Sequence, residues 1–145
     1  MSAYDLDKLM SETRRLAVEY RRTTGSTLPV SADLAHYDAM RILGMQKPEE
    51  VLSGVDAIHN GLKILIKGRV IFSSAKKGLR IGQLNVNGQW DAVVLVVFND
   101  EYQPQTLYQA SRGSLEESLK QGSKNARGAL TLDKFKALSE IVWQK

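Results

Sequence analysis

Residues 56–69 of the 145-residue chain read DAIHNGLKILIKGR, with a carboxylate at one end, cations at Lys63, Lys67 and Arg69, and an Asn-Gly pair between them. A carboxylate and an ammonium group on neighbouring strands suit chemistry at a phosphodiester. Oxygen ligands hold a divalent cation that polarises the phosphate and lowers the pKa of attacking water. A nearby lysine then orients that water or offsets charge developing in the transition state. Asp56 and Lys67 are the candidate pair. The same two residues also fit a plainer reading, an ion pair at a sheet border contributing at most about 1 kcal/mol, with Lys63 simply solvated.

The elements that position these groups follow from turn chemistry. Asn-Gly between β-like runs is the strongest short-range hairpin signal, so Asn60 and Gly61 are expected as the two central turn residues. That register sets Asp56 opposite Leu65. Alternation then puts Lys63, Leu65 and Lys67 on the face that carries Asp56, with Ile64 and Ile66 on the other.

Asp56 followed by Leu65-Ile66-Lys67 resembles the motif of the restriction-endonuclease-like superfamily, the PD-(D/E)XK nucleases. The whole run resembles more particularly a bacterial group of such domains in which glutamine often takes the second acidic position before Ile-Lys. The strand from Trp90 and the segment NARGALTLDKFKAL extend the similarity over roughly Ser31 to Leu138. The resemblance implies a mixed central sheet with helices on both faces, DNA as partner, and magnesium or manganese as cofactor. It makes Asp56 a metal ligand, the backbone carbonyl of Ile66 another, and Lys67 the catalytic lysine. It also implies a homodimer, because the superfamily often works in pairs and two-fold symmetry suits duplex DNA.

Leu65 departs from the pattern, since leucine has no oxygen for a metal. A replacement carboxylate has to come from elsewhere, with Glu19 on the first helix as one candidate and Asp33 and Asp91 as others. The alternative is a catalytically inactive interaction or regulatory module that keeps the nuclease fold. A third reading is an enzyme for a small phosphorylated or acidic ligand in the same cleft.

Lys63, Lys67, Arg69, Lys76, Lys77 and Arg80 cluster around the hairpin, and such residues make most phosphate contacts. A solvated loop explains SSAKKGLR equally well. Lys120, Lys124 and Arg127 form a second group, read either as a clamp on a nucleic-acid backbone or as the polar cover of a helix end. His36 and His59 belong to no metal spacing pattern, and His59 falls in the hairpin turn. Trp90, Tyr102, Tyr108 and Trp143 read as core or interface residues.

Around the hairpin, Leu6, Leu9, Met10, Leu16, Ala17 and Tyr20 predict an amphipathic first helix capped by Ser2 or Asp5 and ended by Gly25 and Pro29. A second helix is expected from Ser31 to Gly44, and a short third from Pro48. AVVLVVF, 92–98, reads as a central strand covered on both faces, with TLYQA, 106–110, as its antiparallel neighbour. Gly68 to Leu84 is left open. Ser114 with Glu117 predicts a helix start, SKNARGA a loop, and Thr131 the cap of a final helix with a stripe of Leu132, Phe135, Leu138 and Val142. Helices before and after a sheet give an α/β or α+β fold, expected as one domain over 1–145.

Composition narrows the function classes. There is no cysteine, which excludes disulfides, thiolate zinc sites and cysteine nucleophiles. Lys plus Arg outnumber Asp plus Glu by 20 to 16, a mild tilt towards polyanions. No Walker loop, Gly-x-Ser-x-Gly elbow or His-Glu-x-x-His helix is present. The longest apolar run is too short to span a bilayer and no leader pattern follows Met1, so a cytoplasmic protein with no membrane association is expected.

Overall fold

The computed structural model describes residues 5–72, 79–121 and 129–145. Two helices come first. α1, Leu6–Thr24, starts where the Asp5 carboxylate accepts a hydrogen bond from the Lys8 N–H at 2.8 Å, and ends at Gly25 in the left-handed region. α2, Ser31–Leu43, ends at Gly44 in the same way.

The buried side of α1 differs from the expected stripe. Ala17 is buried and Met10 and Val18 pack on the core, whereas Leu6, Leu9, Leu16 and Tyr20 stand in solvent. A polar contact fixes this rotation. Arg14 donates twice to Asp38 of α2, at 2.9 and 2.7 Å, and also to the Tyr102 carbonyl. Asp38 is fully buried and its side chain also takes Arg41 at 3.3 Å. A buried carboxylate requires such partners, so α1 turns Arg14 inward and leaves its leucine ridge outside.

No helix forms at Pro48. Residues 47–56 run as bends and turns, and Val51 is fully exposed. A segment this short gains too few hydrogen bonds to offset nucleation and has no apolar face to bury.

The main sheet follows. β1, Ala57–His59, and β2, Leu62–Val70, form an antiparallel hairpin. β3 spans Arg80–Gln83 and β4 spans Ala92–Phe98, the latter running parallel to β2. β5, Pro104–Ser111, is antiparallel to β4, and α3 continues as Arg112–Gln121. β6, Ala129–Thr131, pairs with β3 in a separate two-stranded sheet. α4, Leu132–Leu138, leads into β7, Glu140–Gln144, which pairs with β5. The five-stranded order is β1-β2-β4-β5-β7.

All seven residues of β4 are buried, as a strand covered on both faces requires. Val94, Val96 and Phe98 point to the core shared with α1 and α2, while Val93, Leu95 and Val97 join Leu115, Leu132 and Phe135 on the other side. The expected mixed α+β architecture, with helices on both faces and two helices before the first hairpin, is therefore present. Gly68 of β2 lets α2 approach, since a Cβ there would lie 2.6 Å from that of Ala35.

Two boundaries differ from expectation. α3 begins at Arg112, and its start is capped by the Ser111 hydroxyl, which accepts from the Ser114 N–H at 3.3 Å. Val142 belongs to β7 and not to the final helix, because Ser139 is extended and EIVWQ carries the β-branched and aromatic residues that suit an edge strand. The Thr131 cap forms as expected, with its hydroxyl accepting from the Lys134 N–H at 3.1 Å. The SKNARGA loop lies outside the described residues.

Arg112 ties the turn before β4 to α3. Its guanidinium donates to the carbonyls of Val86, Gly88 and Trp90 at 2.6 to 2.8 Å and to Glu116 at 2.7 Å. It also lies over the Trp90 ring, 4.6 Å from the centroid. No helix among the described residues is long and apolar enough to cross a membrane.

Replacing Asp38 by Ala leaves Arg14 without its buried counter-charge and should cost about 3–5 kcal/mol. Leu16→Ala, at an exposed site on the same helix, should change stability by no more than about 0.5 kcal/mol. Urea unfolding of the two variants measures the contrast.

Candidate nucleic-acid interface

The hairpin forms in the expected register. Asn60 and Gly61 have φ of 52° and 78°, the two left-handed positions of a type I′ turn. Ala57 faces Ile64, Ile58 faces Lys63, and His59 faces Leu62.

Asp56 lies one residue beyond this pairing. Its N–H donates to the Ile64 carbonyl at 2.8 Å, while its carboxylate accepts from the Ile66 N–H, also at 2.8 Å. The physical reason is the end of the ladder. Ile64 and Ile66 both turn their main-chain groups towards β1, but the chain before Asp56 leaves the sheet through a turn closed by the Val55 N–H on the Leu52 carbonyl, with Gly54 left-handed. The aspartate side chain supplies the acceptor that the absent strand would have supplied. Asp56 and Lys67 form no ion pair, so the plainer reading of the hairpin is replaced by a carboxylate capping the main chain.

The other acidic candidates sit apart. Asp91 immediately precedes β4 and is bound to β2 at the hairpin's base, its carboxylate accepting from the Lys63 N–H at 2.9 Å. Glu19 is exposed on α1 and paired with Arg22 at 3.3 Å. Asp33 is in the first turn of α2, in a groove lined also by His36, Tyr37 and Met40. Among the described residues, no three or more of His, Asp and Glu gather as a metal-binding group. Leu65 is buried in the core and offers no oxygen. Asp56 and the Ile66 carbonyl are two donors where magnesium takes six, so the hairpin's own residues do not fit a complete site for magnesium or manganese.

His36 is the histidine beside Asp56. Its Nε2 lies 3.3 Å from the Asp56 carbonyl oxygen. Twenty residues separate the two in sequence, and only the packing of α2 on the hairpin joins them. His59 sits at the turn, with its ring nitrogen 3.4 Å from the Asn60 amide.

The predicted cations divide into groups. Lys63, Lys67 and Arg69 share one parity of β2 with Leu65 between the first two, all three half-buried, and strand rise sets Lys63 about 13 Å from Lys67 and Lys67 about 7 Å from Arg69. None of the three is in an ion pair among the described residues. Arg80 is exposed on β3, opposite Thr131 in the smaller sheet. Lys76 and Lys77 lie outside the described residues, as do Lys124, Arg127 and the Lys120 side chain. Trp90 and Tyr102 are core residues, as expected, and Tyr108 and Trp143 are half-buried.

Asp56→Ala exposes the cost of an unsatisfied Ile66 N–H and should lower stability by about 1–3 kcal/mol. Asp56→Asn keeps an acceptor oxygen and should recover at least half of that loss in urea unfolding.

No known protein-family model matches the chain, and no curated protein is significantly similar to it.

Proposed function

We propose that the protein engages DNA through the cationic strand of a restriction-endonuclease-like hairpin, with Lys63, Lys67 and Arg69 meeting the phosphates. The observation that carries the reading is the set of three cations without carboxylate partners at positions 63, 67 and 69 of one strand, all of the same parity. Unpaired cations spaced along a rigid element complement a polyanion. The contact between Asp56 and Ile66, directly before Lys67, adds support, because the resemblance needs an aspartate beside that segment.

Hydrolysis is the finer form of this reading. It assigns Asp56 and the Ile66 carbonyl to a magnesium or manganese ion and Lys67 to the reacting phosphate, with the remaining ligands drawn from outside the hairpin. Cleavage dependent on the metal and lost in both Asp56→Ala and Lys67→Ala establishes it. Cleavage that survives both substitutions comes from another enzyme.

A second reading, an interaction module without catalysis, is favoured by the ridge on α1. Leu6, Leu9, Leu16 and Tyr20 are 41 to 61% exposed at steps of three, seven and four, a spacing that keeps them on one helix face able to pair with another helix. A second copy of this chain is one partner of that kind.

Salt separates the readings. DNA affinity should fall steeply as salt rises, with the slope of log K against log salt reduced by about 1 in Lys63→Ala and again in Lys67→Ala. Fluorescence anisotropy on a labelled duplex measures both. No retention of DNA at low salt, with a salt-insensitive protein complex instead, selects the module.

A further inference from the structure

α1 carries two apolar sides, and only one of them meets the core. Ala17 is buried and Met10 and Val18 pack inward, whereas Leu6, Leu9, Leu16 and Tyr20 face solvent. With half-buried Thr13 between them these residues fall at 6, 9, 13, 16 and 20, steps of three and four throughout, which are the a and d positions of a coiled-coil seam. Thr13 adds no unmet donor to that seam, because its hydroxyl donates to the Leu9 carbonyl at 2.8 Å.

A groove extends the seam at its first turn. Leu6 and Met10 of α1 line a cavity of about 430 Å³ together with Tyr37 and Met40 of α2. A helix laid along the seam can lodge a large apolar side chain there, as helix-in-groove docking requires. Charge at this end selects no sign, since Arg41 is paired with Asp38 and the other charged residues of the lining are Asp33 and Lys47, with His36 beside them.

The far flank of the seam does select one. Glu12 and Glu19 hold successive g positions, on the side of the ridge away from the groove. Glu12 is in no ion pair among the described residues. Glu19 holds Arg22 at 3.3 Å with both side chains more than half exposed, a contact that contributes little. The cations Lys8, Arg15 and Arg22 stand at c positions, a further step from the seam. The e flank is taken up by the fold itself, through Met10 and Ala17.

A second copy does not fit this pattern. Two α1 helices paired antiparallel bring g against g, so that Glu12 and Glu19 meet carboxylates. Paired in parallel, g faces e, and Met10 and Ala17 offer no cation. Like charges beside a seam reject a partner and opposite charges select one. We propose that the α1 seam docks an amphipathic helix of another protein, with apolar residues at its facing a and d positions and lysine or arginine opposite Glu12 and Glu19. This rests on the interaction reading of the ridge and goes beyond it by fixing the partner's charge.

The test uses two labelled three-heptad synthetic helices, both with leucine at a and d, one with lysine and the other with glutamate at e and g. Like charges keep each peptide from pairing with itself. The full chain has a net charge of +4, so attraction to the whole surface favours the acidic peptide, and tighter binding of the basic one reports the local carboxylates. In fluorescence anisotropy the lysine peptide should bind the full chain saturably, about five- to tenfold tighter than the glutamate peptide. Leu9→Ser and Leu16→Ser, both at exposed sites, should each weaken it at least about tenfold, with urea midpoints close to the parent's. The double variant Glu12→Lys, Glu19→Lys should reverse the preference. Equal binding of the two peptides, no saturable binding, unchanged binding in both leucine variants, or a preference that survives the charge reversal overturns the proposal. A dimer of the parent in sedimentation equilibrium that Leu16→Asp dissolves also overturns it, by assigning the seam to a second copy. Lys67 shares the opposite sheet face with Leu65, so Lys67→Ala should leave peptide affinity unchanged. The salt-dependent duplex titration tests the interaction reading and the peptide pair tests this one, so each fails on its own measurement.

Discussion

β4 has no side that faces water. Every one of its seven residues is buried, and a strand in that position demands an apolar layer above and another below, together with a hydrogen-bonded neighbour along each edge. β2 and β5 supply the edges, α1 and α2 cover one face, and α3 and α4 with the smaller sheet cover the other. The two cores lie on opposite faces of the sheet, and β2 and β5 add residues to both, Ile64 and Leu107 to one and Leu65 and Ala110 to the other. Placement of the cations follows, because the parallel register sets Lys67 beside Leu95 and Arg69 beside Val97, which fixes where β2 carries its charge.

The hairpin shows how a short strand is closed by a side chain. β1 is only three residues long, and its neighbour continues well past it. Main-chain groups left open on β2 are handled locally, by Asp56 at Ile66 and by Asp91 at Lys63. The two aspartates nearest the cations are therefore engaged with backbone amides. The lysines and Arg69, by contrast, have no carboxylate partner, and this asymmetry gives the strand its positive character.

Much of this arrangement was legible in local chemistry. Asn60-Gly61 set the hairpin register because few residue pairs accept two left-handed positions, and AVVLVVF announced a strand buried on both faces. The Thr131 cap was equally readable. The rotation of α1 was not, because its sequence carries apolar residues on more than one side and the deciding contact, Arg14 with Asp38, joins residues 24 apart. The break at Ser139 was missed because Leu138 and Val142 keep helical spacing across it. In the candidate site, the positions of Lys63 and Lys67 were readable from alternation. The role of Asp56 as a main-chain acceptor was not, since it depends on where the strand before it leaves the sheet. The nearness of His36 to Asp56 arises from packing between elements distant in sequence.

The Arg112 contacts have a mechanical consequence. One guanidinium joins Glu116 of α3 to three carbonyls of the turn before β4, and the Arg112 N–H donates to the Asp91 carbonyl, while Asp91 in turn holds Lys63. A displacement of α3 therefore travels through a rigid train of short bonds to the base of the hairpin, so that helix and cationic strand shift as a single lever.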